Sequence, residues 1–242
     1  MRIGILQTDA VLPRFQPDHG DYPGMFMALF DAVGGGLPLA CQVIDAQAGA
    51  YPAPNQCDGY VITGSRHSVY DELPWIARLA AFVQSALDAG RPVVGICFGH
   101  QLMAHFFGGR TAKASGWAVG VHASELLVNE PWLAPPVDEF SLLSSHQDQV
   151  TDLPPGARLI ATNDFCPVAG FTCGDQVLTF QGHPEFRKAY SRDLMNMRRE
   201  QLGEDVWRAG MASLEAETHE RLVGRWILNF CLAHRGSTAA SL

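Results

Sequence analysis

Short apolar runs bounded by glycine, proline or aspartate recur along the first hundred residues. They read RIGILQT at the start of the chain, QVIDA at 42–46, GYVIT at 59–63 and PVVGIC at 92–97. Runs of this length without regular polar alternation are typical of strands that are buried on both faces of a parallel sheet. We therefore predict four parallel strands in this region.

A helical pattern separates the last two of these runs. The segment PWIARLAAFVQSALDAG at 74–90 begins with a proline suited to a first helical turn and ends with a glycine suited to a helix stop. Strands that alternate with helices form right-handed βαβ units. We predict an α/β protein with a doubly wound, mostly parallel sheet in a flavodoxin-like arrangement, whose ligands bind at the carboxyl ends of the strands.

The pattern changes from about residue 120 to 182. Closely spaced strand-like pieces occur here (VHASELLVN, FSLLSS, ARLIATN, PVAGFT and QVLTFQG), separated by turn-rich segments such as LPPG and CGD. We predict antiparallel strands added at one side of the sheet. The remainder is predicted to be helical, so the chain is interpreted as one domain over 1–242, with a core of about 1–186 and a helical extension of about 187–242.

Composition and charge narrow the class of partner. Of 242 residues, 47% are hydrophobic and 17% are charged, which is typical of a globular protein with a sizeable core. The formal net charge of -8 and the lack of a basic cluster argue against nucleic acid or an anionic membrane as the main partner. The N-terminus lacks signal-peptide features, and no apolar stretch approaches the roughly 20 residues that span a bilayer. We therefore expect a cytoplasmic protein.

Six scattered cysteines form neither a CxxC pair nor a Cys/His spacing typical of a metal site. We expect reduced thiols and no metal, with five of the six acting as small buried hydrophobic residues. Cys97 differs because it lies between Gly95 and Gly99 in the octapeptide GICFGHQL, at the junction of a predicted strand and a helix. A nucleophile elbow has this form, with small neighbours that let a strained turn close.

Such an elbow would direct the N-terminal N–H groups of the helix at the sulfur of Cys97 and favour the thiolate. It would also leave the backbone N–H of Phe98 free to face an oxyanion. From this motif alone, a buried cysteine in a tight turn remains a competing interpretation.

A second segment, QGHPEF at 181–186, supplies the partners that a thiolate mechanism needs. Pro184 favours extended backbone at His183, and residues two apart in an extended segment point to the same side. His183 and Glu185 can therefore project together, as an imidazole that transfers protons and a carboxylate that orients it.

Together these segments resemble a known family. GICFGHQL and QGHPEF, in this order and separation, resemble the nucleophile and His/Glu motifs of the class I (triad-type) glutamine amidotransferases. DGYVITGS at 58–65 resembles the oxyanion strand of that family, and SSHQDQV at 144–150 resembles the segment that lines its glutamine pocket. The overall layout is similar to stand-alone members of the family, including γ-glutamyl peptidases.

The resemblance implies a role for each matching residue. Cys97 would be the nucleophile, His183 the general base and acid, and Glu185 its orienting carboxylate. The backbone N–H groups of Gly64 and Phe98 would hold the oxyanion, although many relatives have two glycines where this chain has Gly64 and then serine.

The same resemblance implies that Gln101 and the backbone around Gln147 and Asp148 contact the α-amino acid end of the substrate. Three further histidines in these motifs, His100, His105 and His146, are interpreted as structural residues rather than catalytic ones.

The implied reaction is attack of Cys97 on the side-chain amide of a γ-glutamyl compound, followed by hydrolysis of a thioester, and it requires no cofactor. The chain carries no ATP-binding signature, so any ammonia acceptor would belong to a separate synthetase. Three functions stay open at this point. They are a free-standing γ-glutamyl hydrolase, a glutaminase subunit that feeds a separate synthetase, and a non-catalytic binding relative; the intact Cys97, His183 and Glu185 weigh against the last.

Overall fold

The computed structural model describes residues 1–234, which form one nine-stranded sheet and eight helices. The strands are β1 (Arg2–Gln7), β2 (Ala40–Asp45), β3 (Gly59–Ile62), β4 (Val93–Ile96), β5 (Arg110–Leu126), β6 (Glu139–Asp152), β7 (Ala157–Thr162), β8 (Gly170–Cys173) and β9 (Val177–Phe180). The helices are α1 (Gln16–His19), α2 (Tyr22–Val33), α3 (Pro74–Asp88), α4 (Phe98–Phe106), α5 (Lys188–Met197), α6 (Arg199–Leu202), α7 (Glu204–Ser213) and α8 (Glu220–His234).

The strand order in the sheet is β2-β1-β3-β4-β9-β8-β7-β5-β6. The first five strands in this order are parallel to their neighbours, and this arrangement corresponds to the flavodoxin-like order. The other four strands extend the sheet with antiparallel pairs. The predicted fold class is therefore confirmed.

Hydrophobic residues cover both faces of the parallel strands. On one face, Val61 of β3 belongs to a cluster that includes Phe26 of α2 and Trp226 of α8. On the other face, Ile62 belongs to a cluster with Leu79 of α3 and residues of α4. Successive residues of β3 thus point to opposite cores, as expected for a strand covered by helices on both sides.

One strand is placed differently from the sequence prediction. The segment QVLTFQG was grouped with the added antiparallel pieces, but β9 pairs in parallel with β4 and in antiparallel fashion with β8. It therefore belongs to the parallel core and joins it to the antiparallel extension. The apolar run in β9 predicts a buried strand but carries no information on the direction of its neighbours.

The C-terminal extension is helical over α5–α8, as predicted, and residues 235–242 lie outside the described part. Trp226 of α8 is fully buried, and its ring packs edge-on against Phe140 with centroids 5.5 Å apart. Its Nε1 donates a hydrogen bond to the carbonyl of Pro135 at 3.3 Å. The close contact of Gly224 with Leu29 brings α8 against α2.

All six cysteines are free thiols. No helix formed by residues 1–234 is both long and apolar enough to cross a membrane.

Docking of α8 can be tested by shortening a buried side chain. Leu228 is 3% exposed within the cluster that contains α2 and α8, so we expect Leu228→Ala to lower the free energy of unfolding by about 2–5 kcal/mol. Urea denaturation followed by circular dichroism measures this change. The matched control is Leu127→Ala, because Leu127 is 42% exposed and should cost less than about 1 kcal/mol. Equal losses in both variants would contradict the docking of α8.

Candidate active site

A strained turn joins β4 to α4 at Cys97. Its backbone has φ 51° and ψ -98°, and Cys97 is the one non-glycine residue with positive φ in the described chain. The flanking glycines allow close packing: a Cβ added at Gly95 would lie 2.5 Å from the carbonyl oxygen of Gly99, and one at Gly99 would lie 2.7 Å from Cβ of Ile62. The turn therefore requires the G-x-C-x-G sequence, since real Cβ atoms cannot approach other atoms so closely.

The turn is fixed by backbone hydrogen bonds on both sides of Cys97. Its N–H donates to the carbonyl of Phe180 at 2.9 Å, and its carbonyl accepts from the N–H of Gln101 at 3.0 Å. Leaving aside hydrogen bonds within a helix or strand, the N–H groups of Phe98 and Gly64 donate to no backbone carbonyl of residues 1–234. Free N–H groups of this kind are available to an oxyanion.

His183 lies beyond the end of β9 and faces the Cys97 turn. Its N–H donates to the carbonyl of Leu143 at 2.8 Å, and its Nδ1 lies 2.8 Å from Oε1 of Glu185. The imidazole stacks on Phe186 with ring centroids 3.8 Å apart. Because Nδ1 faces the carboxylate, Nε2 is the nitrogen left to face Cys97, which lines the same cleft as His183. The structure thus brings Cys97, His183 and Glu185 together.

Opposing effects set the pKa of His183. Burial alone lowers the pKa, but the charges of Glu185 and Cys97 and the hydrogen bond to Glu185 raise it from 6.5 to about 10. The imidazole is therefore held in its protonated form near neutral pH, between a carboxylate and the sulfur. A buried cation is stable in such a place only because it is paired.

Gly64 lies against both side chains. A Cβ added at this position would lie 2.7 Å from Cε1 of His183 and 3.7 Å from Cβ of Cys97. The hydroxyl of Thr8, at the end of β1, lies 2.8 Å from the carbonyl oxygen of Gly64 and 3.1 Å from that of Thr63. Glycine is thus the only residue type that fits at position 64 without displacing the imidazole of His183.

Sequence analysis missed the residues that hold the Gly64 loop. Asp9, which is buried, accepts hydrogen bonds from the backbone N–H of Arg66 at 2.9 Å and from its Nε at 2.7 Å. Thr8 and Asp9 directly follow the buried strand β1, next to β3 in the sheet. The one sequence signal for their role was their position at the carboxyl end of a predicted strand, because ligands bind at the carboxyl ends of the strands in a parallel sheet.

The residues expected to contact the substrate lie together on one side of Cys97. Gln101, Gln147 and Asp148 line a cleft of about 240 Å³ that also includes Cys97. The Nε2 of Gln101 donates to the backbone carbonyl of Asp148 at 2.8 Å, and the Asp148 carboxylate accepts from the hydroxyls of Ser68 at 2.5 Å and Tyr70 at 2.9 Å. We name this region the polar lobe.

A second lobe opens on the other side of Cys97, where His183 lies. It has a volume of about 200 Å³ and is lined largely by aromatic and apolar side chains, including Tyr22, Phe186 and Leu194. The two lobes share Ser65, Arg66, Cys97, Ser145 and Arg198. We name this second region the His183 lobe.

Two of the histidines interpreted as structural are buried and neutral. Burial lowers the pKa of His100 to about 3, and it likewise lowers the pKa of His146 to about 3. His100 is hydrogen-bonded to Thr179 at 2.8 Å, and His146 lies 3.1 Å from the backbone carbonyl of Asp148. The third, His105, packs edge-on against Phe106.

Comparison with known proteins places the chain in a family. The family model for class I glutamine amidotransferases matches residues 39–196, and the chain belongs to that family. Gamma-glutamyl peptidase 3 of Arabidopsis thaliana is 32% identical over 180 residues, which cover 70% of this chain and 71% of the relative. A glutamine-hydrolyzing GMP synthase of Thermomicrobium roseum is 35% identical over 127 residues, or 52% of this chain and 23% of that protein.

Solved structures show the same fold. A glutamine amidotransferase from Thermotoga maritima superposes with a TM-score of 0.73 at 19% identity and covers 96% of both chains.

The charge state of His183 can be measured by histidine NMR titration. We expect its ring resonances to titrate near pH 10, whereas His100 and His146 should not titrate between pH 5 and 9, because each has a pKa of about 3. Since the folded-state pKa of His183 exceeds its unfolded value, its contribution to stability is complete below about pH 6.5 and is lost as the pH rises through about 10.

Glu185→Gln should move the titration of His183 to lower pH, because it removes the carboxylate charge while keeping the side-chain size. The control is Glu215→Gln at an exposed position. An unchanged His183 midpoint in Glu185→Gln would show that the carboxylate does not hold the proton on the imidazole.

Proposed function

We propose that the protein hydrolyses the γ-glutamyl amide bond of glutamine or of a related γ-glutamyl compound, with Cys97 as its nucleophile. One observation carries the proposal. Cys97 lies on a strained strand-to-helix turn in the same cleft as His183, whose Nδ1 is paired with Glu185 at 2.8 Å. A thiolate beside an imidazolium is the arrangement that an activated cysteine nucleophile needs.

The first half of the reaction forms a thioester. The Cys97 sulfur attacks the γ-carbonyl carbon, and the resulting oxyanion accepts hydrogen bonds from the N–H groups of Gly64 and Phe98. His183 gives its proton to the leaving nitrogen, the C–N bond breaks, and the amine departs. Glu185 keeps the imidazole in the tautomer and orientation that this transfer needs.

The second half releases glutamate. A water molecule takes the place of the departed amine, and His183, now neutral, accepts its proton as the oxygen attacks the thioester. The C–S bond breaks, and the Cys97 thiolate and the His183 imidazolium are restored. In this scheme Gln101, Gln147 and Asp148 bind the α-amino acid end of the glutamyl group in the polar lobe.

A second candidate function is a glutaminase subunit that passes ammonia to a separate synthetase. The similarity to a glutamine-hydrolyzing GMP synthase supports this candidate. The match covers only 23% of that larger protein, so most of the synthase lies outside the part that resembles this chain. The similarity to γ-glutamyl peptidase 3 along 71% of its length favours free-standing hydrolysis. Turnover by the isolated protein separates the two candidates, since a subunit that depends on a synthetase would be nearly silent alone.

The first test is glutamate release by the purified protein from glutamine, from γ-glutamyl dipeptides and from glutathione. Cys97→Ala should abolish turnover while circular dichroism shows an unchanged fold. The matched control is Cys41→Ala on β2, which removes a thiol far from the site and should retain full activity. Substantial turnover by Cys97→Ala would exclude Cys97 as the nucleophile.

Gly64→Ala tests the oxyanion side of the site. Its new Cβ would lie 2.7 Å from Cε1 of His183, so the imidazole or the oxyanion loop must shift, and we expect kcat to fall by about 10²-fold or more. Gly24→Ala is the control, because a Cβ at that helical position meets no atom within 4 Å. If both variants retain wild-type kcat, Gly64 has no role in the reaction.

A further inference from the structure

Arg198 is a cation at the candidate site without an acidic partner. It directly follows α5, is half-buried, and lines both lobes beside Cys97. Its Nη1 donates to the hydroxyl of Ser145 at 2.8 Å, and its guanidinium lies 5.6 Å from the Trp117 ring centroid. In residues 1–234 it forms no ion pair with a carboxylate.

The other arginine of the His183 lobe differs in this respect. Arg66 is held by Asp9 through its Nε at 2.7 Å and its Nη2 at 2.8 Å. Its charge is therefore already compensated by the protein. Arg198 is left as the arginine of this lobe that can receive an anion, and a guanidinium binds carboxylates with two parallel hydrogen bonds.

The geometry of proton transfer decides which part of a substrate enters the His183 lobe. The leaving nitrogen must come within hydrogen-bond reach of His183, so the group attached to that nitrogen extends into this lobe. Glutamine would release ammonia, which is about the size of a water molecule and needs only about 30 Å³. The lobe has about 200 Å³, which leaves room for a much larger amine.

The walls of the His183 lobe come in part from segments outside the family match. Leu12 and Tyr22 precede residues 39–196, and Met197 and Arg198 follow them. The relatives include a γ-glutamyl peptidase and a glutamine-hydrolyzing enzyme, and by these names the group that leaves from the γ-glutamyl half differs between them. These residues, which the family match leaves out, are therefore available for the half of the substrate on the leaving side of the bond.

We infer that Arg198 binds the free carboxylate of an amino acid on the leaving side of the bond, and that γ-glutamyl amino acids or peptides are preferred over glutamine. Apolar side chains such as Tyr22, Phe186 and Leu194 would then contact the side chain of that amino acid. This inference rests on the proposed γ-glutamyl hydrolysis and adds a substrate class and a specificity-determining residue to it.

The test compares γ-glutamylleucine with γ-glutamylleucinamide, which differ only in the leaving-side carboxylate. We expect the wild-type kcat/KM to be about 10-fold higher for the acid than for the amide, the effect of one charged hydrogen-bonding partner. In Arg198→Gln this ratio should fall to about 1. The matched control is Arg192→Gln, an exposed arginine of α5, which should keep the wild-type ratio.

Three outcomes would overturn the inference. They are a wild-type ratio near 1, a ratio that Arg198→Gln leaves unchanged, and an equal fall in kcat/KM for both compounds and for glutamine. The last outcome would assign Arg198 to the α-carboxylate of the glutamyl group instead. Arg198→Lys should restore part of the acid preference, because it returns the charge without the planar fork.

A binding measurement keeps the test independent of turnover. Calorimetry on Cys97→Ala gives the Kd of each compound without hydrolysis, and the acid should bind about 10-fold more tightly than the amide, a preference that is lost when Arg198→Gln is added. If the wild type releases no glutamate but this binding preference is present, the hydrolase proposal fails while the carboxylate site stands. Equal binding of acid and amide would remove the site.

Discussion

The site depends on a single strained backbone conformation at Cys97. A residue with a side chain rarely adopts φ 51° with ψ -98°, and such strain costs of the order of 1–3 kcal/mol, so the surroundings must impose it. They do so through β4, which is hydrogen-bonded to β3 on one side and to β9 on the other. The same strands fix the sulfur relative to the Gly64 loop and the imidazole, since those two features follow the ends of β3 and β9.

The order of strands in the sheet explains why distant segments meet. The carboxyl ends of β1, β3, β4 and β9 lie along one edge, so that Thr8, Gly64, Cys97 and His183 come together there. Asp9 joins two of these ends, because it binds both the backbone and the side chain of Arg66. The edge of the parallel sheet thus brings Cys97, His183 and Gly64 together without a long loop that would need its own support.

Much of this arrangement could be predicted from the sequence because its signals are local. The glycines around Cys97 reflect close packing within one turn, and the spacing of His183 and Glu185 reflects extended backbone. The direction of β9 could not be predicted in this way, because its apolar residues suit either kind of neighbour. The roles of Asp9 and Arg198 were missed for a similar reason, since each depends on what lies beside it in space and not on its own sequence surroundings.

The buried histidines of this site are in two opposite protonation states, and the groups beside each ring decide between them. His100, His146 and His183 are all at most 5% exposed, and burial alone favours the neutral imidazole in each. His100 and His146 have a hydroxyl or a carbonyl beside the ring, so both stay neutral and serve as scaffold. His183 has the Glu185 carboxylate, which keeps a proton on the ring although the ring is buried. Under the proposed mechanism this proton is what the leaving amine requires, because an amide nitrogen departs only once it is protonated. In that mechanism the carboxylate turns a residue that burial would make inert into an acid directed at the lobe proposed for the leaving group.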